Sequence, residues 1–112
     1  KGLYNNCLNI PLPAGTGSRE YFDAFEHALK KIKEFRPNYI LISAGFDALS
    51  DDIIGQFNLK PKDFYEMTKR IIIYAKKYCN GKVGSILEGG YNIQSTAKAA
   101  NEHVNALLEL DN

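Results

Sequence analysis

The sequence predicts an α/β fold: the C-terminal segment of a doubly wound, mostly parallel sheet with helices on both faces. Three observations lead there. Tyr39 to Ser43 is apolar without alternation, as a strand buried on both faces of a parallel sheet reads. A second strand-like run, Lys82 to Leu87, follows Gly81 at once. Stretches of helical spacing lie before, between and after the two, and strands alternating with helices of ten or more residues imply βαβ units with right-handed crossovers. About three strands cannot close both faces of such a sheet or protect its edges. The missing strands are therefore expected upstream, with residues 1–112 as the C-terminal fragment of one larger domain.

Leu8 to Leu12 reads as a short edge strand ending in Pro11 and Pro13, and Ala14 to Ser18 as a flexible turn. Ser18 is a plausible N-cap for a first helix whose apolar side is Phe22, Phe25, Leu29 and Ile32. That helix should stop near Phe35, because Pro37 biases Arg36 away from helical angles. After the first strand and a polar loop, Pro61 at a first helical position and Asp63 in the first turn open a second helix. Its face is Phe64, Met67, Ile71, Tyr74 and Tyr78, and Gly81 closes it. A third helix is expected from Ser95 to Leu110, packing through Ala97, Ala100, Val104, Leu107 and Leu108.

With 112 residues, 45% of them hydrophobic and 24% charged, the chain has the composition of a small globular unit rather than a disordered or fibrous one. A formal net charge of +1 gives no electrostatic footprint for nucleic acid, and Lys30, Lys31 and Lys33 read as a solvated helix face. Cys7 and Cys79 are far apart and in no metal-like spacing, which argues against a disulfide framework or thiolate zinc site and fits a reducing cytosol. No apolar run approaches a membrane span, and Lys1-Gly2-Leu3 lacks the apolar core of a secretory signal, so the expectation is a soluble, cytoplasmic protein. The first residue is lysine and the sole methionine, Met67, falls inside a helix. This reads as a piece of a longer translated chain, although a processed start explains it equally well.

Asp47 ends the run Leu41-Ile42-Ser43-Ala44-Gly45-Phe46-Asp47 and is the first candidate for chemistry. Its carboxylate can serve as a metal ligand, a general base, or an acceptor for a loop amide. Gly45 permits close backbone approach, and the carboxyl end of a buried strand faces the ligand crevice of this fold class. The second candidate is Tyr91 in Glu88-Gly89-Gly90-Tyr91-Asn92, at the end of the next strand. Two glycines can aim its phenol at a developing oxyanion, and a plain rim tyrosine is the other reading. His27 and His103 lie on helices with no converging partners and read as surface or half-buried residues, so no histidine here is a persuasive base. Glu88 is expected to hold its turn through backbone amides. Asp51 and Asp52 belong to an exposed loop, with Asp52 able to cap the segment that turns over Asp47.

Taken in order, these segments resemble the C-terminal third of the zinc-dependent histone deacetylase superfamily, in its class II-like branch, with its bacterial and acetylpolyamine-hydrolysing relatives. Asn9 to Gly15 is similar to the family's strand and loop before a helix. Ser43 to Ala48 is similar to its late metal-ligand motif, and Leu87 to Asn92 to its catalytic tyrosine turn. The resemblance implies an arginase- or deacetylase-like sheet, Asp47 as one zinc ligand of an Asp-His-Asp set, and Tyr91 as the phenol polarising the scissile carbonyl with the metal. Gly89 and Gly90 would shape the acyl-lysine tunnel. Ferrous iron is the other candidate metal. Zinc in such a site lowers the pKa of water to about 7, a histidine base takes the water proton, and a second acid-base step expels the amine.

The family's paired histidines and Asp-X-His ligands are absent from this chain and are expected upstream of Lys1. The isolated segment is therefore expected to be inactive. Ile53 stands where relatives usually carry proline. Ile54 falls where polyamine-selective relatives carry an acid, which points to acetyl-lysine peptide or another small neutral acyl amide over a cationic polyamine. Glu88 and Tyr91 place the turn nearer the active class II-like branch. From other classes, the sequence also admits a non-catalytic phosphate or nucleotide binder using the glycine turn before the third helix, with Ser95 and Thr96 as supports, and a scaffold domain that keeps the fold.

Overall fold

The computed structural model describes residues 2–109. Its elements run α1 (Ser18–Phe35), β1 (Ile40–Ala44), α2 (Pro61–Tyr78), β2 (Val83–Leu87) and α3 (Ile93–Leu108). The two strands pair in parallel, from Ile40 opposite Val83 to Ala44 opposite Leu87. This is the α/β architecture with a parallel sheet that the apolar runs predict. The parallel pairing requires the crossover that α2 supplies.

Local chemistry sets the boundaries. Asp63 accepts the Lys60 amide at 2.8 Å and the Ser18 hydroxyl at 2.5 Å, so one carboxylate ties the start of α2 to the start of α1. Ser18 is thus the first helical residue, and the N-cap is Gly17, which offers no side-chain cap. Arg36 ends α1 in the left-handed region at φ 58°, its amide on Ile32 O. Pro37 follows and cannot continue the helix. At the end of α2 the chain reverses through Asn80 and Gly81, both at positive φ, with the Gly81 amide on Ala75 O at 2.9 Å.

Two apolar clusters lie beneath the sheet. Ile40, Ile71, Ala75 and Cys79 form one, against which Phe25, Leu29 and Ile32 of α1 pack. The other sits under the strand ends and includes Phe46, Leu49, Leu59, Phe64 and Ala99. Leu41 and Ile86 share the face of the sheet turned away from these clusters and are 60% and 52% exposed, so that face is bare among the described residues.

Three sequence expectations need correction. Residues 8–12 form no strand; Pro11 and Pro13 lack the amides a ladder needs, and the nearby loop instead pins Gly15 and Thr16 to Gln56 and Asn58 by backbone bonds. The third helix starts at Ile93, its expected end at Leu110 lies outside the described residues, and its packing stripe is Ser95, Ala99, His103 and Ala106. Ala97, Val104 and Leu108 are exposed. Small residues win that stripe because α3 approaches α2 closely, with Ala99 and Ala106 fully covered. No helix among the described residues is long and apolar enough to cross a membrane.

Candidate active site at two strand ends

Beyond Ala44 the two strand ends are laced together: Glu88 donates its amide to Ala44 O at 3.0 Å, and Phe46 donates to Gly89 O at 2.8 Å. Phe46, 2% exposed, turns inward and packs on Phe64 with ring centroids 5.0 Å apart. Its neighbour Asp47 stays half-buried at the rim.

The space around Asp47 is reserved by glycines. A β-carbon at Gly45 would lie 2.9 Å from Asp47 Oδ1, and one at Gly89 would lie 2.9 Å from both Cγ and Oδ2. At Gly55 it would run into the Asp47 carbonyl. A side chain at Gly45 or Gly89 would push the carboxylate aside, and one at Gly55 would displace the main chain that carries it. From α1, Tyr21 faces the same region; burial raises its pKa first, and the negative charge of Asp47 raises it further. Tyr21 lies in no motif of the sequence; its one signal there is that it precedes Phe25 by four residues on one helix face.

Among the described residues no hydrogen bond or ion pair engages the Asp47 carboxylate. Its oxygens are therefore available, and a hard anionic donor at a strand end suits one position in the shell of a divalent cation. One donor does not make a site, and no group of three or more metal-ligating side chains occurs among the described residues.

Tyr91, 49% exposed, follows Gly90, whose φ of 138° suits glycine and whose missing side chain leaves room for Thr96. The turn is held from the loop after β1. Asp52 Oδ2 accepts the Tyr91 amide at 2.8 Å, while Oδ1 accepts the amides of Ile54 and Gly55, each at 2.8 Å. Partial desolvation pushes the Asp52 carboxyl up, but the backbone donors of Gly55, Tyr91, Ile54 and Asn92 outweigh it and hold its pKa below the ordinary carboxylate value. Asp51 takes the Ser95 hydroxyl on its carboxylate and the Asn92 side-chain amide on its carbonyl. Asn92 in turn caps α3 by accepting the Ser95 amide at 3.2 Å. Glu88, expected to hold the turn, is exposed, and Asp52 does that work instead.

Asp47, Gly89, Gly90 and Tyr91 thus come together at one rim, with Ile54, 64% exposed, on the adjoining loop. The histidines stay apart from it. His27 is exposed on α1. His103 is 7% exposed and more buried than expected, bridging Thr68 Oγ1 at 2.6 Å and Ser85 Oγ at 2.7 Å. Because Thr68 gives its own proton to Phe64 O, Nδ1 of His103 must donate to it, which leaves Nε2 to accept from Ser85. Burial lowers its pKa and so favours its neutral form. It joins β2, α2 and α3 as a structural link.

The same bonds weaken the anion-cradle reading. Two carboxylates already occupy the mouth of α3, claiming the Tyr91 amide and the Ser95 hydroxyl, so a phosphate there would meet like charge.

Residues 1–107 match the histone deacetylase domain family. The chain is 36% identical over 95% of its length to Type-2 histone deacetylase 1 of Dictyostelium discoideum, covering 7% of that protein. It superposes with TM-score 0.82 and 36% identity on the HDA15 HD domain, over 92% of this chain and 29% of the other. It superposes with TM-score 0.81 and 25% identity on acetylpolyamine aminohydrolase from Burkholderia pseudomallei, again over 92% and 29%. The chain therefore spans less than one third of each.

Proposed function

The chain belongs to the histone deacetylase family, and on that premise we propose that it supplies one wall of a metal-dependent amidohydrolase that removes acetyl groups from acetyl-lysine. The observation that carries the reading is the carboxylate of Asp47, unclaimed among the described residues and flanked by Gly45 and Gly89 beside the Tyr91 turn. In this reading Asp47 is one ligand of a zinc ion, ferrous iron being the alternative, and the remaining ligands and the histidine base come from upstream parts of the same domain. A dication so held contributes Lewis acidity and an acidified water.

The chain's own residues do the rest. Gly89, Gly90 and Ile54 line the tunnel that admits the acyl-lysine arm, and the narrowness that glycine allows at 89 and 90 excludes water around it. The Tyr91 hydroxyl donates to the carbonyl oxygen as negative charge develops there, an interaction stronger in the transition state than in the ground state. Ile54 offers no charge to a polyamine, which favours an acetyl-lysine peptide or small neutral acyl amide. The bare sheet face around Leu41 and Ile86 is where the upstream strands and helices of the domain would seat. The wide separation of Cys7 and Cys79 in the sequence, in no metal-like spacing, fits a reducing, cytoplasmic setting.

The test is zinc-dependent acetate release from an acetyl-lysine peptide by the full-length protein that contains this chain, beside its Asp47→Asn variant. We expect activity in the parent, and in the variant a loss of both bound metal and turnover. Equal metal content and equal rates in the two proteins would remove Asp47 from the ligand set. Residues 1–112 expressed alone should show no turnover.

A further inference from the structure

The Asp52 carboxylate joins two segments that lie 39 residues apart in sequence, through bonds of equal length on its two oxygens. On one side are the amides of Ile54 and Gly55. On the other is the amide of Tyr91. Asp52 itself belongs to neither apolar cluster and stands half-exposed at the rim, so its bonds add little to the packing of the interior. Neighbouring Asp51 holds a different part, the start of α3, through Ser95 and Asn92. If Asp52 let go, the start of α3 would keep its bonds to Asp51, whereas the Tyr91 amide would lose its partner.

We propose that Asp52 is a positioning residue that locks the loop bearing Ile54 to the turn bearing Tyr91, so that phenol and tunnel wall keep one shared geometry. The use of that geometry rests on the hydrolase reading above; the lock itself rests on the three bonds. A carboxylate is required because both of its oxygens accept. Asparagine keeps one acceptor and turns an NH2 group against a backbone N–H, so Asp52→Asn opens one arm, whereas Asp52→Ala opens both.

The experiment uses the full-length, zinc-loaded protein. Acetate release from an acetyl-lysine peptide is measured for the parent, Asp52→Asn, Asp52→Ala, Tyr91→Phe and the Asp52→Ala/Tyr91→Phe pair, with backbone amide exchange followed by mass spectrometry. Loss of alignment should lower kcat roughly tenfold or more in Asp52→Ala, with Asp52→Asn intermediate. KM should rise as the wall loosens, a change that Tyr91→Phe does not cause. In the Tyr91→Phe background, Asp52→Ala should cost no more than about twofold further in kcat, because the group it positions is already gone. Exchange should quicken together in residues 53–56 and 90–93 and stay unchanged in β1 and β2. Equal fold losses in both backgrounds, or quickening in one segment only, would overturn the proposal. Should the metal-loaded parent release no acetate, the hydrolase reading fails, and the exchange data alone decide whether Asp52 joins the two segments.

Discussion

The ends of β1 and β2 are built by opposite means. After β1, Phe46, Leu49 and Leu59 sink into the interior with 2% exposure or less, and Asp47 is carried on that anchor. From the end of β2 onward, Leu87, Glu88 and Tyr91 are all exposed, and the turn is held by hydrogen bonds that Asp52 and Asn92 accept rather than by packing. A metal ligand and a hydrogen-bond donor ask different things of their supports. An apolar anchor fixes a backbone by excluding alternatives, and its removal is felt throughout the domain. A polar clip fixes one geometry locally and can be undone with the fold intact.

Three experiments would sharpen or break that contrast, each in the full-length protein. The largest effect is expected from Phe46→Ala, which empties the space against Phe64 and His103 and should cost about 3–5 kcal/mol of stability, read as a lower denaturant midpoint. Asn92→Ala removes the α3 cap and should cost about 1 kcal/mol. Should Asn92→Ala destabilise as much as Phe46→Ala, the division between anchor and clip is wrong.

The gentlest is a change of slope with pH. His103 has a lowered pKa in the fold, so the unfolded chain takes up its proton first. The stability tied to its neutral form is present above the unfolded value of about 6.5 and is lost as pH falls from there through the lower folded pKa. His103→Gln should flatten the denaturant midpoint between pH 7 and 5. An unchanged slope would show that Thr68 and Ser85 adapt to the charged ring without cost.

The same contrast explains what could be read from the sequence. The strands, the crossover helix and the placing of Asp47 and Tyr91 at neighbouring strand ends were legible because apolar runs, prolines and glycines mark them directly. The close fit of Gly45, Gly55 and Gly89 around Asp47 was only half visible: Gly45 and Gly89 lie in the motifs, whereas Gly55 arrives from a loop that folds back. The stripe of α3 was misread because hydropathy favours Val104 and Leu108 over Ser95 and His103, while close packing against α2 selects small residues and a histidine with two partners. The clip by Asp52 was visible only as a capping propensity, since no local pattern tells which distant amide a carboxylate will meet.

The rungs of the sheet carry a consequence for time. Each joins residues roughly forty positions apart, with all of α2 wound between them. Closing a loop of that size must precede any reward from the strand pairing, whereas α2 draws on local contacts alone. Asp47 and Tyr91 reach the same rim only once Phe46 has found Gly89 just beyond the final rung. The rim is therefore among the last features a refolding chain completes, and recovery of function would trail recovery of helical signal.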